Sequence, residues 1–203
     1  MTIAHGILLD KERSALSDQD IVVRAQANNK EFTAIIRRYE LSLLRYIRIR
    51  GCRELRMSQN LLQEVFINAF IYLNDYDCSI PFSAWLYRIA YKETALFLGK
   101  NKPVSDTEKS EEEILFMQAI IDGLGLSFPQ GGACDSSLLM GAYRELQADD
   151  RNLLLLKYLE GMQAIEIAHI LQQREAETGR MIERAEHSFS DYFAKSGGVD
   201  HAG

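Results

Sequence analysis

The chain has 203 residues, 47% apolar and 26% charged, with a net charge of −6. That is enough to bury one core or two small ones, and no run of about 18 apolar residues is present to span a membrane. Met1 to Asp10 is too short and too acidic at its end for a signal peptide, so a cytoplasmic protein without membrane insertion is expected. Cys52, Cys78 and Cys134 stand at unrelated spacings, which suits a reducing compartment and no disulfide framework. His5, His169, His187 and His201 lack metal-ligand spacing, and no metal or other cofactor is expected.

Charge divides the chain. From Ile21 to Lys102 thirteen cations meet seven anions, a net of +6, whereas the residues after Lys102 sum to −10. The basic part suits a polyanionic partner and the acidic part does not. The change of sign marks a domain boundary near Pro103.

Ser17 opens the first helix as N-cap, with an acid three residues on. Asn28-Asn29 ends it, since Asn tolerates the left-handed backbone. A long helix is predicted from Glu31 to Arg50, with Phe32, Ile35, Ile36, Tyr39, Leu43, Tyr46 and Ile47 at the helical period and Gly51 as its stop. A third helix, Ser58 to Leu73, buries Leu61, Leu62, Val65, Phe66, Ala69 and Tyr72; Gln63 and Glu64 cannot both join that side. Asn74-Asp75-Tyr76-Asp77-Cys78-Ser79 is turn chemistry. A fourth helix runs from Pro81, at its first turn, to Lys100. Phe82, Leu86, Ile89 and Phe97 share one side of it. Trp85, Arg88 and Lys92 share a neighbouring side, an aromatic plane with two cations that suits stacking on and clamping single-stranded nucleic acid.

After Pro103, Ser110-Glu111-Glu112-Glu113 starts a short helix with acids at its positive end. Ile114, Met117, Ile120, Ile121 and Leu124 stripe that helix, and Gly131-Gly132 lies in a loop beyond it. The helix docks between the flanking domains, docks onto an inhibitor, or threads elsewhere; the sequence leaves these open. Then come helices Asp149 to Glu160, capped by Gly161, Ala164 to Leu171, and Glu175 to Ala194. This is helix-turn-helix spacing. The fold class is therefore all-α: two small helical domains joined by an acidic linker. The boundaries fall at 1–17 (tail), 18–102 (first domain), 103–135 (linker), 136–196 (helix-turn-helix domain) and 197–203 (tail).

"LLQEVFINAF" followed by "DYDCSIPFSAWLYRIAY" resembles the core of the sigma-factor family of bacterial RNA polymerase, in its extracytoplasmic-function (ECF) group. "YRELQADDRNLLLLKYLEGMQAIEIAHILQQREAETGRMIERAEHSF" resembles that family's C-terminal domain without gaps. The resemblance implies a protein that is not an enzyme and that directs promoter recognition and transcription initiation. Its implied partners are the polymerase core, promoter DNA and an anti-sigma factor. By resemblance, Asn60, Gln63, Glu64 and Phe66 contact the polymerase. Tyr76, Trp85, Arg88, Tyr91 and Lys92 contact the minus-ten element, with the turn from Asn74 to Ile80 holding a flipped base. Arg174, Thr178, Arg180 and Arg184 contact the minus-thirty-five element. The chain departs from the family pattern at Asn60 (usually Asp), Lys92 (usually Asn), Glu93 (usually Leu), Gln172 (usually Gly) and Arg174 (usually Ser). Glu175, Glu177, Glu183 and Glu186 further line the last helix, where acids repel phosphates. Two readings stay open: a sigma factor, or a sigma-like interaction protein that binds an anti-sigma factor or polymerase without reading DNA.

Overall fold

A computed structural model of the chain describes residues 16–100, 111–127, 141, 143, 145–195 and 199–200. The expectations placed on Ser110, Gly131-Gly132, Cys134, and most of both tails lie outside the described residues.

Helix α1 is Asp18–Ala27. The Ser17 hydroxyl accepts the Asp20 backbone N–H at 3.2 Å and the Asp20 carboxylate accepts the Ser17 backbone N–H at 3.2 Å, so the predicted capping box forms. Hydrogen bonds from Ser17 favour the charged carboxylate and hold Asp20 below the ordinary range. The helix ends at Asn28 in extended backbone, φ −147°, not in the left-handed form expected; the Asn28 side chain instead caps a 3₁₀ turn by accepting from the Lys30 N–H at 3.2 Å.

Helix α2, Phe32–Ile49, stops before Gly51, whose φ of +128° disfavours a side chain. Ile35, Leu43, Tyr46 and Ile47 are fully buried, and burial of each of the three aliphatic side chains is worth about 1.5–3 kcal/mol. Helix α3 is Leu55–Ile71, and α4 is Phe82–Lys100. Tyr72, predicted to be buried, is 53% exposed, because the helix has ended; Leu73, in the 3₁₀ turn that follows, takes the inward place.

The acidic linker helix α5, Glu111–Leu124, lies against α2 and against the C-terminal helices. Its inward stripe is Glu113, Phe116, Met117, Ile120 and Ile121; Ile114 is turned outward. Helix α6, Ala148–Leu154, widens into a π turn over Leu155–Leu159. Gly161, φ +69°, ends it as predicted. Helices α7, Ala164–Leu171, and α8, Glu175–Lys195, complete the helix-turn-helix. Leu126–Ser127 and Val199–Asp200 form a two-residue antiparallel pairing, β1 with β2, a small addition to the all-α fold. The buried side chains of α1–α4, α5 and α6–α8 join in one continuous apolar cluster. α4 is sandwiched, with α3 on one side and α7 on another.

Candidate partner and nucleic-acid interfaces

Asn60, Gln63 and Glu64 are exposed on α3. The helical period continues their face through Ile67, 51% exposed, and Ile71, 60% exposed. The result is a polar strip running into an apolar one on a single rigid helix. Phe66 does not belong to it: at 7% exposure it points into the core, held there by the same periodicity that buries Leu62 and Ala69. Ile67 and Ile71 were missed in the sequence, although their offsets of seven and eleven from Asn60 mark them.

The turn before α4 is locked from within. The Tyr76 hydroxyl donates to the Ile80 carbonyl at 2.5 Å, and the Asp77 carboxylate accepts the Ser79 N–H at 2.9 Å, which holds Asp77 below its usual range. The Tyr76 ring sits 5.3 Å from Phe82 and 5.4 Å from Trp85, and Trp85 stacks on Phe82 at 5.4 Å. Trp85, read as a stacking plane for a base, is thus 5% exposed and occupied by its own neighbours. Arg88 is half-buried and Lys92 exposed. Tyr91 is half-buried, with the Arg50 guanidinium 4.3 Å from its ring centre. Glu93 does not sit unpaired: it accepts the Asn68 amide at 2.9 Å.

Arg174, just before α8, and Arg180 and Arg184 on it are exposed, interspersed with exposed Glu175, Glu177 and Glu183. Thr178 is fully buried and its Oγ1 has no hydrogen-bond partner, so it cannot meet a base edge in this arrangement. Glu186 is tied inward to Lys157 and, at 2.7 Å, to the Tyr158 hydroxyl.

The basic and acidic parts of the chain meet. Glu160, in the last position before Gly161, accepts Nη2 of Arg45 at 3.0 Å and the Tyr87 hydroxyl at 2.5 Å. The Tyr46 hydroxyl donates to Oδ1 of Asn152 at 2.9 Å. Arg48 pairs with Glu112, and Arg53 with Glu113 at 2.5 Å. Burial, together with the adjacent Glu160, pushes the Tyr87 phenol up; burial, partly opposed by Arg50, pushes Tyr46 up to about 12. The pairings were not read in the sequence, although the opposite signs of the two halves carried the signal.

The chain is 31% identical to the ECF RNA polymerase sigma factor SigW of Bacillus subtilis over 121 residues, 56% of this chain and 63% of that protein, just under two thirds of its length. It is 26% identical to the RNA polymerase sigma-H factor of Pseudomonas aeruginosa over 76% of this chain and 82% of that one. It is 28% identical to the ECF RNA polymerase sigma-E factor of Escherichia coli K12 over 77% and 83%. The similarity to named sigma factors extends over 56–77% of the chain. No protein-family model matches the chain. Its fold is similar to that of CnrH, solved in complex with the cytosolic domain of CnrY, with a TM-score of 0.63 at 20% identity over 88% of this chain and 97% of that one. It is also similar to the sigma factor RpoE of Bartonella quintana, solved with the anti-sigma factor NepR, with a TM-score of 0.51 at 17% identity over 79% and 96%. Among the described residues, no helix is long and apolar enough to cross a membrane.

Proposed function

We propose that this chain is an ECF-type sigma factor, a specificity subunit of bacterial RNA polymerase that acts in the cytoplasm to direct promoter recognition and transcription initiation. The observation that carries the reading is similarity to named ECF sigma factors across as much as 77% of the chain. In this reading the α3 face of Asn60, Gln63, Glu64, Ile67 and Ile71 docks on the polymerase core. The turn at Tyr76 to Ile80, with Arg88 and Lys92, engages the minus-ten element, and Arg174, Arg180 and Arg184 approach the minus-thirty-five element. Bond-making belongs to the polymerase, and an anti-sigma factor is a further partner, as NepR is of the structurally similar sigma factor RpoE.

Run-off transcription with purified core polymerase tests this. Promoter-dependent transcripts that need the chain support it; a chain that neither binds core nor yields transcript overturns it. The burial of Trp85 and Thr178 favours a second reading, a sigma-like interaction protein. Core binding with no initiation on any promoter selects that one.

A further inference from the structure

The ends of α2 and α4 and the start of α6 enclose a cavity of about 60 Å³. One water needs about 10–15 Å³ of such space, so a group of several heavy atoms has room there. The apolar walls are Ile49, Leu98 and Leu155, and the polar side chains are Arg50, Arg151 and Asn152. No carboxylate lines it. A second cavity, of about 90 Å³, shares Asn152 but has Asp149 and Gln173 in place of the arginines.

The three donors are held by other contacts. Nη1 of Arg50 donates to the Tyr46 hydroxyl at 3.2 Å and to the Tyr91 carbonyl at 3.3 Å, and the guanidinium lies 4.3 Å from the Tyr91 ring centre. Its Nη2 and Nε have no acceptor among the described residues. Arg151 lies over the Tyr143 ring at 5.0 Å and donates to the Tyr143 hydroxyl. The Tyr46 hydroxyl, which accepts from Arg50, gives its own proton to Oδ1 of Asn152 at 2.9 Å. Asn152 is 3% exposed, and its amide N–H groups are left without an acceptor among the described residues.

Half-buried Arg38, Arg45, Arg48 and Arg53 each meet a carboxylate, whereas half-buried Arg50 and Arg151 meet none among the described residues. Two cations on the wall of one cavity repel each other, and the repulsion grows as water is excluded. An anion between them removes that cost. The guanidinium fork matches the edge of a tetrahedral oxyanion, and hydrogen bonds between charged partners are the strong ones. Asn152 adds neutral donors and no opposing charge.

We propose that this cavity binds a small oxyanion, either inorganic phosphate or the phosphate group of a monoester, between Arg50 and Arg151 with Asn152 as a third donor. The site stands apart from the sigma-factor reading, which assigns none of these three residues to polymerase or DNA.

Calorimetric titration of the full chain with sodium phosphate, against sodium chloride of equal ionic strength, tests it. Phosphate should bind saturably with a Kd of about 1 mM or tighter. At tenfold its Kd it should raise the melting temperature by about 3–5 °C. Arg151→Gln should weaken binding about tenfold, the loss of one charged hydrogen-bonding partner. Leu98→Trp, which fills the cavity without touching a charge, should weaken it as much. Arg24→Gln, at an exposed cation on α1 away from the cavity, should leave it unchanged. Amide NMR of the wild-type chain should show phosphate-dependent shifts at Arg50, Arg151 and Asn152 and none at Arg24, which decides the site even where a variant fails to fold. Adenosine monophosphate binding tighter than inorganic phosphate assigns the site to monoesters; weaker binding assigns it to the free ion. No saturable binding beyond chloride overturns the site, as do equal losses in Arg24→Gln and Arg151→Gln, or shifts spread over all the arginines.

Discussion

Helices α4 and α8 have similar lengths, 19 and 21 residues, yet differ in how much they surrender to packing. α8 lays one stripe, Thr178, Ile182, Ala185, Phe189 and Phe193, against α6 and α7, with Met181 and Tyr192 half-buried beside it, and leaves its opposite face to solvent. α4 is gripped by α3 and α7 and buries Phe82, Ala84, Trp85, Leu86, Tyr87, Ala90 and Thr94. A helix held from two sides is rigid but keeps little surface for a ligand. One held from a single side has surface to spare, and its chemistry is then decided by which charges it shows. On α4 the surface left for nucleic acid is Arg88 and Lys92; on α8 it is Arg180 and Arg184 among three exposed glutamates.

The largest effect should come from the grip on α4. Trp85→Ala removes a stacked, buried indole from between Phe82 and Tyr76 and should cost about 3–5 kcal/mol. Urea denaturation of the full chain reads this directly. A Trp85→Ala chain that keeps its stability and loses only promoter opening would show the indole serving DNA rather than the core.

Next is the phenol that ties α2 to both sides. The Tyr46 ring meets Tyr87 edge-on at 5.2 Å and its hydroxyl holds Asn152. Its folded pKa, about 12, lies above the ordinary 10 because burial disfavours phenolate. The folded state therefore prefers the neutral form. The stability this contributes is whole below pH 10 and is lost as pH rises through about 12, a loss of about 3 kcal/mol. Tyr46→Phe should flatten the dependence of stability on pH across that window; an unchanged slope would place the effect elsewhere.

Regular spacing made most of this fold legible in the sequence. The Ser17 cap, the Gly51 and Gly161 stops and the bounds of α7 follow from local rules, because each depends on a few adjacent residues. Phe66, Trp85 and Thr178 were harder. Helical periodicity reports which residues share a face, but α4 has two buried faces, and nothing in a single helix's pattern announces the second neighbour. Phe66 shows the limit of motif reading: the residues beside it, Gln63 and Glu64, are exposed, and a match does not separate a contact from the core side chain that positions it. The pairing of Arg45, Arg48 and Arg53 with distant acids was visible only as a charge imbalance between halves.

A middle-sized effect tests the turn that aims α8. Gln172 occupies the left-handed region at φ 56°, where a side chain carries a steric cost and glycine does not. Its Cβ earns nothing evident there, since Gln172 is exposed. Gln172→Gly should raise stability by about 1 kcal/mol after the entropy of the freer unfolded chain is set against the relief of strain. Thermal unfolding measures it, and a fall in stability would show that the Gln172 side chain holds the turn.

The smallest effect on stability carries the sharpest comparison between the two helices. Arg180→Ala on α8 and Lys92→Ala on α4 each remove an exposed cation, so each should leave stability within about 0.5 kcal/mol. Their consequences for DNA binding need not match. A side chain that neutralises a phosphate displaces condensed counterions, and removing it should reduce the salt slope of promoter binding by about 1. Lys92 stands beside Arg88, and the acid next to it on α4, Glu93, is half-buried and occupied by the Asn68 amide. Arg180 shares its surface with Glu177 and Glu183, whose repulsion offsets part of its attraction. The slope should therefore fall further for Lys92→Ala than for Arg180→Ala when polymerase holoenzyme is titrated onto promoter DNA across a salt series. Equal falls would mean that α8 turns its arginines to the phosphates and its acids away. A fall for Arg180→Ala alone would reverse the roles assigned to the two helices.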